Sequence, residues 1–285
     1  MRSRNPMSSL RRKSAAKRSS RPSMAQRADR YDLYQRSVQD PEWEVGFMAA
    51  TYGSLRGRSP LSLREDFCGT ALFACEWVKS DRRRTAVGVD MDGAVLAWGR
   101  EHNLVELPPA AAARLTLLQA DVLEARTPAV DILAAFNFSY WVFKERATLR
   151  RYFERARAAL AEGGIFMLDA YGGYDAQRVM REREDLGRFI YVWDQAGYDP
   201  VTSGTTCHIH FAFPDGSRLN QAFSYHWRLW SLAELREVLA EAGFGASTVY
   251  WQGTDPKTGE GTDEFKPVQH GDPDPAWIAY IVAEK

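Results

Sequence analysis

The sequence predicts an α/β protein: a seven-stranded, mostly parallel, doubly wound sheet with an antiparallel last strand, plus an antiparallel β insert after strand five. From about residue 60, short β-like runs alternate with amphipathic helical stretches, the pattern of a parallel sheet covered by helices. The insert is predicted because the residues after the fifth strand alternate with period two. With 45% hydrophobic residues, the 285-residue chain can bury the core that this fold needs.

Seven apolar runs are the strand candidates. A helix over residues 147–161 precedes the fifth strand, and a second helix opens at the capping box Ser231-Leu-Ala-Glu234. A polar loop of about 25 residues separates the last two strands and is long enough to suggest a function. The predicted strands cover residues 61–66, 85–90, 115–119, 131–138, 164–169, 248–251 and 277–282.

The chain divides by composition into five segments. The first is basic and rich in serine, which is typical of a disordered tail, with a transit peptide or nucleic-acid arm as alternatives. The segments are a tail (1–28), a helical lid (29–58), a cofactor-binding core (59–170), a β insert that covers the substrate (171–230) and a closing helix with two strands (231–285).

Charge and cysteine content limit the possible partners. Nine of the 37 Lys and Arg residues lie within residues 1–28, which have no Asp or Glu, so the rest carries 28 basic against 37 acidic residues. An acidic domain disfavours a nucleic-acid partner. No apolar run reaches the roughly 20 residues of a membrane helix. Three cysteines without metal-ligand spacing indicate a reduced, cytoplasmic protein without a metal, either monomer or homodimer.

Three successive strands end in acidic residues. The first runs through Glu65 and Asp66 into a turn around Gly69 and then an apolar helix, an arrangement that exposes backbone amides at a helix N-terminus. The second ends in Asp90, placed to accept hydrogen bonds from ribose hydroxyls. The third leads into Asp121, whose carboxylate suits an adenine amine. The sequence therefore predicts an adenosine-binding edge.

This series of acidic strand ends resembles the class I S-adenosylmethionine (SAM)-dependent methyltransferases over residues 60–170 and 231–284. The family turn has three spaced glycines, of which this chain keeps Gly69 and replaces the outer two with Phe67 and Ala71. The resemblance implies SAM as the cofactor. The residues it implies at the cofactor are Tyr34, Arg64, Glu65, Phe67, Cys68, Gly69, Thr70, Asp90, Met91, Asp121, Val122 and Asn137.

Several of these residues have a second interpretation. Arg64, a charge in a central strand, either pairs with a neighbouring carboxylate or holds the carboxylate of the cofactor. Asp90 and Asp121 either bind adenosine or cap helices. The motif acid is either Glu65 or Asp66. A dinucleotide-binding fold is the competing class, but its three-glycine fingerprint is absent.

The substrate side is predicted from aromatic and polar residues after the fourth strand and in the insert. Their rings suit a small ligand, either neutral or a cationic amine, unless they merely pack a core. Arg228 is either a carboxylate clamp or a solvated or structurally paired arginine. The candidate substrate-binding residues are Phe138, Ser139, Tyr140, Trp141, Tyr171, Tyr191 and Arg228, and the candidate bases are His208, His210 and Tyr225.

The first functional hypothesis is a metal-independent methyltransferase acting on N, O or S of a small polar or aromatic molecule. The second is a protein or RNA methyltransferase tethered by the basic tail. The third is a non-catalytic SAM-binding scaffold, favoured by the missing outer glycines.

Overall fold

The computed structural model describes residues 21–255, 257–258 and 261–285, so most of the predicted basic tail lies outside the described residues. The helices are α1 (Met24–Arg27), α2 (Arg30–Val38), α3 (Pro41–Arg56), α4 (Leu72–Ser80), α5 (Gly93–His102), α6 (Pro109–Ala112), α7 (Arg146–Ala158) and α8 (Leu232–Glu241). The strands are β1 (Ser62–Asp66), β2 (Thr85–Asp90), β3 (Leu115–Gln119), β4 (Val130–Ala135), β5 (Leu160–Gly172), β6 (Met180–Asp185), β7 (Ile190–Asp199), β8 (Gly204–Ala212), β9 (Arg218–Arg228), β10 (Ala246–Thr254), β11 (Gly261–Val268) and β12 (Trp277–Glu284).

Eight strands of the described chain form the central sheet, in the order β11-β10-β12-β5-β4-β1-β2-β3. The strands β1 to β5 pair in parallel, and β12 is antiparallel to β5, as expected for the last strand. The predicted count of seven was wrong by one, because part of the predicted polar loop forms β11 against β10. Phe265 of β11 packs against Trp43 and Tyr280, an apolar contact that the polar composition of the loop concealed.

Helices cover both faces of this sheet. On one face, α7 places Leu149 and Phe153 in the core at helical spacing, and α8 adds Leu235. On the other face, α3 and α4 bury Met48 and Trp77. The sheet is therefore doubly wound, and its carboxyl edge is left free for a site. No helix in the described ranges is long and apolar enough to cross a membrane.

The predicted lid consists of two helices. Asp40 caps the N-terminus of α3 by accepting a hydrogen bond from the Trp43 backbone N–H at 3.2 Å. Pro41 follows in the first turn of the helix, where a missing backbone N–H costs nothing. Residues 24–27, which we assigned to the basic tail, instead form α1. The Met24 backbone N–H donates to Asp215 at 2.8 Å, which fixes α1 to the insert.

The insert is a separate antiparallel sheet in the order β6-β7-β8-β9. Its first strand, Met-Arg-Glu-Arg-Glu-Asp, was not predicted because it carries a single apolar residue. Side chains alternate along β8: Cys207, Ile209 and Phe211 are buried, whereas His208 and His210 point to the opposite face. The buried face of β8, called the inner face of the insert, lies against the end of β5, where the Tyr171 hydroxyl is 4.0 Å from Cys207 Sγ.

Candidate active site

The turn between β1 and α4 has left-handed backbone at three alternate residues. Phe67, Gly69 and Ala71 have φ of +58°, +53° and +56°. For a residue with a Cβ this conformation costs about 1–2 kcal/mol. Phe67 and Ala71 thus keep the backbone course for which the resemblance implied glycines. A Cβ on Gly69 would meet no atom within 4 Å, so this turn borders open space.

Asp90 ties this turn to the end of β2. Its Oδ2 accepts the Gly69 backbone N–H at 2.8 Å, and its Oδ1 accepts the Asp92 N–H at 2.9 Å. The side chain remains partly exposed, which leaves lone pairs for further donors. Gly88 of β2 lets the turn pack closely against this strand, because a Cβ on Gly88 would lie 2.9 Å from the buried Cys68 Sγ.

At the end of β3, Asp121 and Val122 have different environments. The exposed Asp121 accepts the Leu123 backbone N–H at 2.9 Å through Oδ1, the second oxygen being free of such a contact among the described residues. Val122 is only 4% exposed and packs in the core. Met91, beside Asp90, is highly exposed. Asp121 and Met91, rather than Val122, therefore border the surface at this edge.

Arg64 and Asp66 form a buried ion pair, with Arg64 Nε 2.7 Å from Asp66 Oδ1. The Tyr152 hydroxyl donates to the second Asp66 oxygen at 3.0 Å, and Arg64 also donates to the Val122 carbonyl at 3.3 Å. Both charged side chains are at most 2% exposed. Strand alternation places Arg64 and Asp66 on the same face of β1, so of the two interpretations of Arg64, the ion pair is observed.

Glu65 points to the opposite face from Arg64. Its Oε2 accepts the Ala74 backbone N–H at 3.0 Å in the first turn of α4. Burial raises the pKa of Glu65 well above its ordinary range; the Ala74 hydrogen bond lowers it in part, and the carboxyls of Glu44 and Asp90 raise it further. Of the two acids at the end of β1, Glu65 is therefore the one that contacts the first turn of α4.

The helix α2 lies across this turn. The Gln35 amide donates to Thr70 Oγ1 at 2.6 Å, and the Trp98 indole donates to Asp29 Oδ2, at the start of α2, at the same distance. Tyr34, the neighbour of Gln35, lines a cavity that Tyr225 of the insert also lines.

That cavity, the aromatic chamber, has a volume of about 320 Å³. It lies between α2, the end of β5, the start of β12 and the inner face of the insert. Asn137, Phe138 and Trp277 line it together with Gln195 of β7. The remaining aromatic rings come mainly from the insert, and they are Tyr34, Tyr171, Tyr191, Trp193, Tyr225 and Trp227.

The chamber meets the β4 end at a second strained turn. Asn137 and Phe138 both have φ of +56°, and their backbone N–H groups donate to the two oxygens of Asp169 at 2.7 and 2.9 Å. Asp169 is buried, and burial raises its pKa to about 7 although the two N–H groups lower it. Asp169 thus holds in place two residues that line the chamber.

Glu44 is a buried acid that sequence analysis missed. It lies on the inner face of α3, in line with Met48 and Thr51, and within the described residues its carboxylate has no hydrogen bond or ion pair. Burial, and then repulsion from Asp169 and Asp40, raises the pKa of Glu44 to about 8. The sequence carried a sign of this burial, because Glu44 is four residues before Met48 and therefore shares the buried face of the helix.

Only some of the predicted substrate residues reach the chamber. Phe138, Tyr171 and Tyr191 line it. Tyr140 and Trp141 do not. Both belong to the short 3₁₀ helix Ser139–Val142, and their side chains are fully buried in the core. The Ser139 hydroxyl donates to the Phe136 carbonyl at 2.9 Å, which is a local backbone contact.

Both histidines lie on the wrong face for catalysis in the chamber. His208 and His210 share a face of β8, as predicted, but it is the outer one. The His210 ring accepts the Gln221 backbone N–H at Nδ1, so its Nε2 donates to Asp194 at 3.2 Å. Of the three candidate bases, only Tyr225 lines the chamber.

Arg228 is also outside the chamber lining. It bridges to Glu234 at 2.9 Å, donates to the Lys144 carbonyl and stacks over Trp230 at 3.7 Å. These contacts fix the start of α8. Of the two interpretations of Arg228, the structurally paired side chain is observed, and Arg228 is not among the residues that line the chamber.

Solved structures share this fold at low sequence identity. A SAM-dependent methyltransferase from Clostridium acetobutylicum has a TM-score of 0.64 and 15% identity over 89% of this chain and 96% of that chain. A SAM-bound amino pentose methyltransferase from Micromonospora echinaspora has 0.62 and 17% over 90% and 97%. A sugar N-methyltransferase from a Streptoalloteichus species has 0.60 and 17% over 90% and 92%.

Comparison by sequence gave a different result: no protein-family model and no curated protein matches the chain. The fold is that of the class I SAM-dependent methyltransferases, with a separate antiparallel sheet beside the central one.

Proposed function

We propose that this protein is a SAM-dependent methyltransferase that methylates a small molecule in the aromatic chamber. The observation that carries the proposal is the position of α2. Gln35 holds the β1 turn at Thr70 with a 2.6 Å hydrogen bond, while its neighbour Tyr34 lines the chamber. The helix α2 therefore contacts both the β1 turn, where the cofactor would bind, and the chamber, which is large enough for a small methyl acceptor.

The residues around the turn fit SAM. Gly69 borders open space, so a ligand can approach its backbone. Asp90 would hold the ribose hydroxyls, Asp121 the adenine amine, and Glu65 would face the cationic end of the cofactor. Among the described residues, no basic side chain forms an ion pair with Glu65, and burial and the acids around it raise its pKa, which suits a positively charged ligand. Bound SAM supplies an electrophilic methyl group on a sulfonium.

The chamber residues act by positioning and by excluding water. Its walls are mainly aromatic, and they include Tyr34 of α2 and Tyr225 of the insert. Burial raises the pKa of Tyr225 well above its ordinary range, so its phenol keeps its proton and serves as a hydrogen-bonding group rather than a base. Holding an acceptor in line with a methyl group can by itself contribute much of the rate enhancement.

A small acceptor is preferred over a macromolecule. The chamber volume of about 320 Å³ is within the range of small-molecule sites. Structural neighbours with this architecture include the amino pentose and sugar N-methyltransferases described above. The acidic charge of residues 29–285 also disfavours RNA.

Transfer of a labelled methyl group from SAM tests this proposal. We expect label in a small-molecule fraction of a metabolite extract, equally for the full chain and for a variant lacking residues 1–20. Label that enters protein or RNA only when residues 1–20 are present would support the tethered macromolecular enzyme instead. Tight SAM binding without transfer to any fraction would support the scaffold.

A further inference from the structure

The aromatic chamber carries charge of one sign only. Among the described residues that line it, Asp175 and Glu182 are charged, and neither Lys, Arg nor His is present. Asp175 is neutralised by Arg178 at 2.8 Å. Glu182 has no ion pair within the described chain. It is an exposed residue of the edge strand β6, opposite Trp193 in the β6–β7 ladder, and it lines the rim of the chamber.

Three rings of β7 and β9 form a cluster at one wall of the chamber. Tyr225 and Trp227 stack at 4.3 Å, and Trp193 lies 6.1 and 6.3 Å from them. Aromatic faces attract cations within about 6 Å of the ring centre, most strongly when the cation is desolvated. An anionic acceptor would meet these rings and Glu182 with no counter-charge, because Arg228 is engaged with Glu234 outside the chamber.

We infer that the methyl acceptor is an organic amine, bound in the aromatic chamber as an ammonium cation against Trp193, Tyr225 and Trp227, with Glu182 as the unpaired anion of the chamber lining. This inference rests on the proposed function and names its substrate class. A neutral phenol or thiol would gain nothing from Glu182, and a carboxylate or phosphate would be repelled by it.

The chemistry of an amine is consistent with this environment. An ammonium has no lone pair, so one proton leaves to water before transfer. The amine nitrogen then forms the new bond to the methyl carbon while the carbon–sulfur pair returns to sulfur, and the product nitrogen is again cationic. The rings and Glu182 therefore meet a positive charge on nitrogen before and after the step.

The inference is tested by binding in the absence of SAM. The probes are choline, its uncharged isostere 3,3-dimethylbutan-1-ol, and the anion 3,3-dimethylbutanoate. Each is titrated into the full chain with tryptophan fluorescence as readout. We expect choline to bind at least about tenfold more tightly than 3,3-dimethylbutan-1-ol, and 3,3-dimethylbutanoate to bind least. The Glu182→Gln and Trp193→Leu variants should each lose most of that preference.

Glu184→Gln is the matched control, because Glu184 is an exposed acid two positions along the same strand that does not line the chamber. Its choline preference should stay within twofold of the wild type. Equal or tighter binding of the neutral or anionic probe, no choline binding, or equal effects of the two glutamate variants would overturn the inference. A parallel SAM titration separates failures: SAM binding without cation preference leaves the proposed function standing, whereas absent SAM binding removes that function itself.

Discussion

The Gly69 backbone N–H donates to Asp90 Oδ2 over 2.8 Å, which joins the ends of the neighbouring parallel strands β1 and β2. The Asp90→Ala variant leaves that N–H without its partner, so we expect a loss of about 1 kcal/mol in the free energy of unfolding. Asp90→Asn keeps an acceptor oxygen and should lose less. Urea unfolding of both variants measures this difference, and equal losses would argue against a role for the hydrogen bond.

Ala71→Gly should stabilise the protein, although most substitutions to glycine destabilise. Ala71 has φ of +56°, a conformation that glycine adopts without strain. The expected gain is up to about 1 kcal/mol, reduced by the larger entropy of the unfolded glycine chain. The control is Ala74→Gly in the α4 helix, which should destabilise. A rise in the urea midpoint is the expected sign; a fall as large as that of Ala74→Gly would contradict the strain argument.

Phe67→Gly should behave differently from Ala71→Gly. Phe67 also has a positive φ, but its ring lies 5.7 Å from Tyr152 and 5.9 Å from Phe143. Relief of strain is then outweighed by the lost packing, which for a Phe truncation is about 3 kcal/mol at a buried site and less at this partly exposed one. Denaturant unfolding should show net destabilisation; stabilisation would mean that the ring contributes little.

Removing Arg64 should destabilise the fold strongly. Arg64→Met leaves Asp66 buried without its counter-charge, and breaking a buried pair in this way costs about 3–5 kcal/mol. The double variant with Asp66→Asn removes both charges and should recover part of the loss. A double-variant cycle in urea gives the coupling energy, which would be close to zero if the pair were unimportant.

Glu44 should make stability depend on pH. Its pKa is raised from 4.5 to about 8, so between these values the folded chain binds more protons than the unfolded chain. The free energy of unfolding therefore falls as pH rises through this window, by at most about 1.4 kcal/mol per pH unit for one group. Glu44→Gln should flatten the fall, whereas Glu101→Gln, at an exposed site on α5, should leave it unchanged.

Melting curves from pH 5 to pH 9 measure the effect of Glu44. Asp169 titrates in the same direction, since burial raises its pKa to about 7, so a residual slope should persist in Glu44→Gln. A wild-type stability that rises with pH across this window would contradict the burial of an unpartnered carboxyl.

Periodicity was enough to predict most of the fold. The strands ending at Asp90 and before Asp121 lie where alternation and acidic termini placed them, because buried parallel strands are long apolar runs. Strands β6 and β11 escaped prediction because they are edge strands with mostly polar side chains, so they lack the apolar pattern that marks a strand, although each pairs with its neighbour along the chain.

At the site, the sequence could not predict which way the side chains of the insert point. Period two placed His208 and His210 on one face of β8, but which face meets the chamber depends on how the insert docks. The left-handed backbone at Phe67 and Ala71 was equally hidden, since residues with a Cβ rarely adopt it. The pairing of Arg64 with Asp66 was among the stated alternatives and needed the structure to decide it.

The β1 turn and Asp90 are proposed to hold SAM. Calorimetric titration of the purified chain with SAM tests this binding most directly. We expect micromolar binding to the wild type, binding weakened at least about tenfold in Asp90→Ala through loss of charged hydrogen bonds, and unchanged binding in Glu101→Ala. No heat of binding to the wild type, or equal affinity in Asp90→Ala, would contradict the account.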